Sequence, residues 1–436
     1  MKLTFLSILF LATAVTAQTM TATPKDYERK IRRLKPGMTL HLQPGTYENG
    51  MRLVGLHGNP ALPLRIEGEK GVLFLARKGR NTIQLTDASY IEISSLTLDG
   101  RGLDVDGIKA GGNTKKGVHH ITIEDCVIRG YGSWQFNVGI STKVPAWDWI
   151  IRRNIIDAAG TGLYLGNSDG TQAFVGGLIE GNVVKNCLGY DMQIKHQIRR
   201  DRVPGMPKDR RVTTIRYNVF LKNDVQGDKG DRPNLLVSGP PDDGPGSEDR
   251  YEIYGNLFAH NPREVLLQGA GRLRIHDNVF VDCADLAIRI RPHHEKRPLA
   301  VAIFHNTFVD VKAPWAVVGL AAKAERLFFG NIGDSRPAGD QNIRLNVWKN
   351  KTTVRSILAA PYAPWGKKDV HPRRPLYLTP PPAGMKLLRS DPLYALDFAG
   401  QRREKLEECG ALRALPRGSK GIPLDREHPR SALKAR

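Results

Sequence analysis

Cysteine is scarce. Four stand in 436 residues, Cys126, Cys187, Cys283 and Cys409, too widely spaced for a disulfide framework or a metal-binding signature. The first three read as small packing residues; Cys409 is left open. Acidic residues are in deficit, 44 Asp and Glu against 65 Lys and Arg, for a net charge of +21. That balance suits an acidic partner such as a polyanionic glycan or an anionic surface, although charge also serves solubility alone. The basic groups come without a nucleic-acid recognition module, so nucleic acid is not an expected partner. Beyond residue 15 no apolar run is long enough for a membrane helix.

What is present begins with an export signal. Met1-Lys2 is positive, Leu3 to Val15 is almost wholly apolar, and Val15-Thr16-Ala17 before Gln18 fits a small-residue cleavage site. The expected division is a signal peptide over 1–17, a main domain over 18–350, and a basic, Pro-rich extension over 351–436. Export to the periplasm or the medium follows, as a monomer. One short helix is expected, with Thr23 as N-cap, Pro24 at its first position, and Tyr27, Ile31 and Leu34 on one apolar stripe. It can cap the open end of a core.

From about residue 81 the chain repeats. Asn154, Asn182, Asn218, Asn256, Asn278, Asn306 and Asn331 recur at intervals of 28, 36, 38, 22, 28 and 25 residues. Asp125 and Ser95 take the same place in earlier modules, and two residues after the first six Asn stand Ile156, Val184, Phe220, Phe258, Phe280 and Phe308. A period in the twenties with strand-rich modules is a solenoid signature. The fold class is therefore all-β, a single-domain parallel β-helix with rungs about 4.8 Å apart. Stacking turns the Asn positions into an amide ladder and the Phe positions into an interior column. From Lys351 onward the repeat is lost, with 18 Lys and Arg against 8 Asp and Glu and 11 of the 28 prolines. That segment is expected to drape over the last rungs or the outer wall. Trp365 and Tyr394–Phe398 offer apolar docking surface, and the end from Arg413 to Arg436 is expected to be disordered.

The stretch Gly189–Arg200 carries the most chemistry. Met192 and Ile194 face inward; Gln193, Lys195 and Gln197 face outward. Aligning inward pairs (Val138/Ile140, Leu163/Leu165, Met192/Ile194, Leu235/Val237, Val265/Leu267, Ile288/Ile290) stacks Asp191, Asn234 and Glu264 in one outward column. A second holds Tyr164, Gln193, Leu236, Leu266 and Arg289. A third holds Gly166, Lys195, Ser238, Gln268 and Arg291. A basic insertion, Arg199–Arg211, makes the Met192-to-Leu235 interval 43 residues against 29, 30 and 23 nearby. Such a loop on one edge of a solenoid is expected to build a binding wall, with Arg199 and Arg200 in it.

Lys35-Pro36-Gly37-Met38 through Pro44-Gly45-Thr46-Tyr47, then Pro63-Leu64-Arg65-Ile66-Glu67-Gly68, resembles the opening of secreted right-handed parallel β-helix proteins of the pectate-lyase-like superfamily. Among these it is similar to chondroitinase-B-like and alginate-lyase-like polysaccharide lyases and mannuronan epimerases, over residues 30–335. Gly162–Gly170 with Gln193–Gln197 also resembles bacterial exported β-helix proteins. The resemblance implies a uronate-containing polysaccharide as partner and β-elimination as reaction. A strand-borne Lys would be the base, matched here by Lys195, assisted by an Arg for which Arg232, Arg289 and Arg291 are rivals. His196 is an alternative acid or base. Tyr164, Asp191, Gln193, Arg199, Arg200, Arg232, Glu264, Gln268, Arg289 and His294 are the expected substrate contacts, and His293 adjoins them. No cofactor is required; calcium has one weak candidate in Asp104-Val105-Asp106. The alternatives are a non-catalytic glycan-binding or polysaccharide-assembly protein, a uronan epimerase, and a glycoside hydrolase. The hydrolase would need two carboxylates, for which Asp191 and Glu264 stand about 9.6 Å apart by rung spacing.

Overall fold

The computed structural model describes residues 18–200, 202–337, 345–379, 385, 392–414 and 424. The expected signal peptide lies outside the described residues, as does most of the segment from Arg413 to Arg436. The chain is a parallel β-helix. Among the described residues, a 14-stranded sheet runs from Thr19–Ala22 to Glu325–Phe329. A 20-stranded sheet supplies the other two faces, which merge where Val279–Ile290 and Thr307–Val317 run unbroken from one to the next. Short strands alternate buried and outward residues. In Leu64–Gly68, for example, Leu64 and Ile66 are buried and Arg65 reaches Glu92 on the next rung at 2.8 Å.

A helix, Tyr27–Ile31, covers the N-terminal end, and Tyr27, Ile31 and Leu34 are buried as one stripe. Its N-cap is Asp26 rather than Thr23. Thr23 instead donates its N–H to the Asp26 carboxylate at 2.8 Å, so the residue expected to start the helix braces the residue that does.

The amide ladder sits at one corner. Asn154, Asn182, Asn218, Asn256, Asn278, Asn306 and Asn331 each donate Nδ2–H to the carbonyl oxygen of the next side chain, at 2.7–3.1 Å. Asn346 extends the ladder one step beyond the expected end. Asp125 and Ser95 do not belong to it. The ladder position on their rungs is held by Cys126, whose N–H donates to Asn154 Oδ1 at 3.0 Å, and by Leu96 below it. Ser95 and Asp125 stand one residue earlier, in the left-handed conformation (φ 60° and 54°), in a column with Arg153, Tyr217, Asp277 and His305. This is where the chain bends out of the first face, in a conformation that glycine tolerates best and Asp next; Gly181, Gly255 and Gly330 hold the same place. Inside the bend, Phe220, Phe258, Phe280 and Phe308 stack at centroid distances of 4.8–5.2 Å. Burying each ring contributes about 1.5–3 kcal/mol.

The face carrying those Phe residues explains the C-terminal segment. On lower rungs one of its outward columns is charged (Asp99, Arg129, Asp157, Lys185). On upper rungs the outward side is apolar: Val219, Leu221, Leu257, Ala259, Val279 and Val281 are all buried. Val354, Leu358, Val370, Tyr394 and Phe398 pack on that surface. Gly410 N–H donates to Gly330 O at 2.7 Å, and Arg403 inserts to pair with Asp277. The four cysteines are free and buried.

Register departs from the simple alignment at two rungs. Leu235 lies against Leu267, not Val265, and Ile140, not Val138, lies against Leu163. A slip of two residues leaves inward and outward sides unchanged, so alternation alone cannot detect it. One outward column therefore reads Arg52, Gln84, Lys109, Ser141, Tyr164, Gln193, Leu236, Gln268, Arg289.

Candidate functional site

This column floors a groove of about 600 Å³ along the third face, whose lining includes Lys109, Lys143, Tyr164, Tyr190, Gln193, Lys195 and Arg232. Trp134 and Phe136 form its rim, edge to face at 4.9 Å and partly exposed. Trp134 is fixed by Nε1–H donating to Asp104 at 2.8 Å, the same oxygen that accepts from Asn137 at 2.8 Å. Asp106 accepts the Val138 N–H at 2.9 Å and pairs with Lys109 at 2.8 Å.

Lys143 extends from the strand Val138–Thr142 over the next rung. Its Nζ lies 3.2 Å from the Tyr164 ring centroid, and the Lys195 Nζ lies 6.0 Å from the same centroid. Burial, then the positive charge of Lys109, pushes the Lys143 ammonium down to about 7, with Lys195 adding to the effect and Asp106 opposing it. The ring face works in the ammonium's favour as well. Burial pushes the Tyr164 phenol up to about 12, so it carries its proton at neutral pH.

Lys195 is almost fully buried and has no carboxylate partner among the described residues; burial lowers its pKa. Its Nζ lies 3.4 Å from His294 Nε2. His294 stacks on His196 at 4.6 Å and 13°, and meets His293 edge-on at 4.3 Å. His293 Nδ1 lies 3.2 Å from the Ser238 hydroxyl. Burial first, then neighbouring positive charge, brings His196 and His293 down to about 4 and lowers His294, so all three imidazoles are neutral at pH 7. His294 and Glu295 hold φ of 47° and 63° in the turn between His293 and Lys296, a conformation that costs non-glycine residues energy and here aims His294 at Lys195.

No family model matches the chain, and no curated protein does. Solved structures share the architecture at low similarity. A mannuronic-acid-specific polysaccharide family 6 lyase from the human gut microbiota is 14% identical with a TM-score of 0.45, over 78% of this chain and 88% of that one. A lacto-N-biosidase from Eubacterium ramulus is 12% identical with a TM-score of 0.46, over 77% and 68%. A Geobacillus virus protein is 12% identical with a TM-score of 0.40, over 76% of this chain and 59% of its own length. These values carry no argument about activity, and a lyase and a glycosidase stand side by side among them. The chemistry has to be read from the groove.

The remaining expected contacts divide. Tyr164, Gln193 and Arg232 line the groove beside Lys195. Arg232 lies 5.9 Å from the Tyr190 ring and donates to the Asp231 and Lys229 carbonyls at 3.0 and 2.8 Å. Arg291 is exposed and donates to Gln268 at 3.2 Å; Arg289 is neutralised by Glu264, at 3.2 Å, and by Asp285. His196 is buried, with Nδ1 unpartnered.

Three expectations are corrected. Asp191 is fully buried and shares no column with Glu264, because the register slip replaces Glu264 by Leu266; the hydrolase pair dissolves. Neither Asp191 oxygen has a hydrogen-bond partner, and burial pushes its pKa up to about 7. Cys187 and Asn234 are neighbours, but their donors go to backbone carbonyls. Arg200 is buried and bound to Asp249 and to Pro207 O, a structural anchor rather than a ligand contact. The described residues of the basic insertion add no side chain to the groove lining. Its Val203 and Met206 pack against Trp147, Ala173 and Val175, beside the 14-stranded sheet; Arg199 is exposed. Asp104 and Asp106, the expected calcium candidates, both line the groove. Each is engaged by protein donors, and among the described residues no group of three or more His, Cys, Asp or Glu side chains converges on a metal-sized site.

Sequence reasoning missed Lys109, Lys143, Tyr190, Trp134 and Phe136. Lys143 stands in the outward column of Lys195 and Arg291, two residues beyond Ser141; correct register at one rung would have found it.

Proposed function

We propose that the protein is an exported lyase that cleaves a uronate-containing polysaccharide by β-elimination in this groove. The observation that carries the reading is Lys143: an amine poised near neutrality, set over a protonated Tyr164, among Lys109, Lys195 and Arg232. Neutral Lys143 takes the proton beside the sugar carboxylate. Lys195 and Arg232 hold that carboxylate as negative charge builds on it, in a partly desolvated site where such contacts act strongly. As the carbon–carbon double bond forms, the bond to the glycosidic oxygen breaks and Tyr164 supplies the proton that oxygen needs. Products are an unsaturated uronate and a new reducing end. Trp134 and Phe136 offer apolar faces to sugar rings at the rim.

Incubation with alginate, pectate, glycosaminoglycans and bacterial exopolysaccharides, following ultraviolet absorbance of the unsaturated product, tests this. A rise with one acidic glycan, lost in Lys143→Met while binding persists, supports it. Binding without product in the wild type points to a binding protein. Reducing ends without absorbance mean hydrolysis.

A further inference from the structure

The groove does not end at Lys109. Toward the N-terminal end it shares Asn81, Asp104 and Val105 with a second bay of about 440 Å³, lined also by Arg52, Gly79, Arg80 and Gln84. Arg52 projects outward from the strand Met51–Val54, in the same column as Lys109 and Tyr164. Its Nη1 donates to the Met51 and Asn81 carbonyls at 3.2 and 2.8 Å, so the guanidinium is fixed in advance. Arg80 is exposed at the end of the turn from Arg77. Neither arginine makes an ion pair with a described residue, whereas many of the protein's other outward arginines do. Burial and the positive field of Arg80 both disfavour the charge on Arg52. Two guanidiniums without ion pairs that line one bay gain from an anion placed between them, and the Asp104 carboxylate in the same lining is already engaged by Trp134 and Asn137.

The geometry points to Arg52 and Arg80 as a distal subsite for the carboxylate of a second acidic sugar in the same polysaccharide chain. Four rung steps separate Arg52 from Tyr164, about 19 Å along the axis. A chain bound at both places lies along the solenoid. This rests on the lyase reading for the identity of the reacting site, but the subsite is testable by binding alone.

The experiment compares Lys143→Met with the same protein carrying R52Q and R80Q, by calorimetric titration with oligouronates from dimer to octamer of the glycan the wild type selects. The expected result is at least tenfold weaker binding of the octamer and unchanged binding of the dimer. A carboxyl-reduced octamer should show no difference between the two proteins, which separates carboxylate recognition from contacts to the rest of the sugar. Equal loss at every length, or none, overturns the subsite and leaves the lyase reading standing. Length-dependent loss in a wild type that never forms unsaturated product keeps the subsite and removes the lyase. A protein that binds no oligouronate overturns both.

Discussion

Lys143 Nζ sits 3.2 Å from the centroid of Tyr164, one rung above it in the stack. This places an amine that titrates at about 7 beside a phenol that keeps its proton to about 12. The sign follows directly: the reaction needs the unprotonated amine, so kcat/KM should rise with pH through about 7 and plateau above it. Lys143→Met should lower kcat by roughly 10²–10⁴-fold, the usual worth of a positioned general base. Lys143→Arg should be equally inactive, since guanidinium keeps its proton. A pH–rate profile on the selected polysaccharide checks this. An ascending limb that survives in the Lys143 variants would assign the base elsewhere.

Lys195 should behave differently. It is buried with no carboxylate partner among the described residues, and its depressed pKa means the unfolded chain binds the extra proton below its ordinary range near 10. Stability therefore rises with pH across that window. Lys195→Met should raise the melting temperature at pH 6 and gain less at pH 9, while costing roughly 10²-fold in kcat/KM through loss of a carboxylate contact. Replacing His294 by Gln, which keeps a polar group near Nζ, should retain more activity than replacement by Leu. Thermal scans at both pH values and steady-state kinetics read this out; a loss of stability at pH 6 would contradict the buried-amine account.

How much of this was legible in the sequence depends on what periodicity encodes. The Asn recurrence announced the solenoid because the ladder demands one residue type at one place. Asp125 and Ser95 were misplaced by one residue because bend and ladder positions are adjacent, and both accept small polar side chains. Lys195 was visible as an outward cation on a strand. Lys143 was not, because Val138 and Ile140 can be aligned two residues out of register without moving any side chain to the wrong face. The insertion from Arg199 to Arg211 looked like a binding wall because charge was counted. What positions it is Met206 on Trp147 and the pairing of Arg200 with Asp249, contacts that only the folded chain creates.

Asp191 makes a stability prediction of the opposite sign. Its folded pKa of about 7 lies above the unfolded value near 4, so the folded state binds the extra proton between them. Stability is lost as pH rises through that window and then levels off. Asp191→Asn removes the ionisation while keeping the shape. It should stabilise the protein by about 2–4 kcal/mol at pH 8 and change little at pH 4. Denaturant titrations at the two pH values decide; an equal effect at both would mean that the carboxyl does not hold its proton.

The clasp on the C-terminal segment is a buried ionic cluster with two pH limits. Arg403 pairs with Asp277, His276 bridges Asp277 and Glu252 at 2.7 and 3.2 Å, and Tyr394 donates to Glu252 at 3.0 Å. The carboxylates, aided by hydrogen bonds, raise the pKa of His276 against its burial, so its contribution is complete below about 6.5 and is lost as pH rises through the folded value. Arg403 and His276 lower the pKa of Asp277, and His276 chiefly lowers that of Glu252, both against burial. Their contributions hold above about 4 and are lost as pH falls through the folded values. Docking of the segment should thus be tightest between these limits. Arg403→Met leaves Asp277 buried with half its charge partners and should cost about 3–5 kcal/mol. Limited proteolysis across pH 3–9 should release fragments from residues 392–414 first in Arg403→Met, and in the wild type only outside the middle window. Cleavage elsewhere first, or a pH-independent pattern, would show that apolar packing of Tyr394 and Phe398 holds the segment without the ionic cluster.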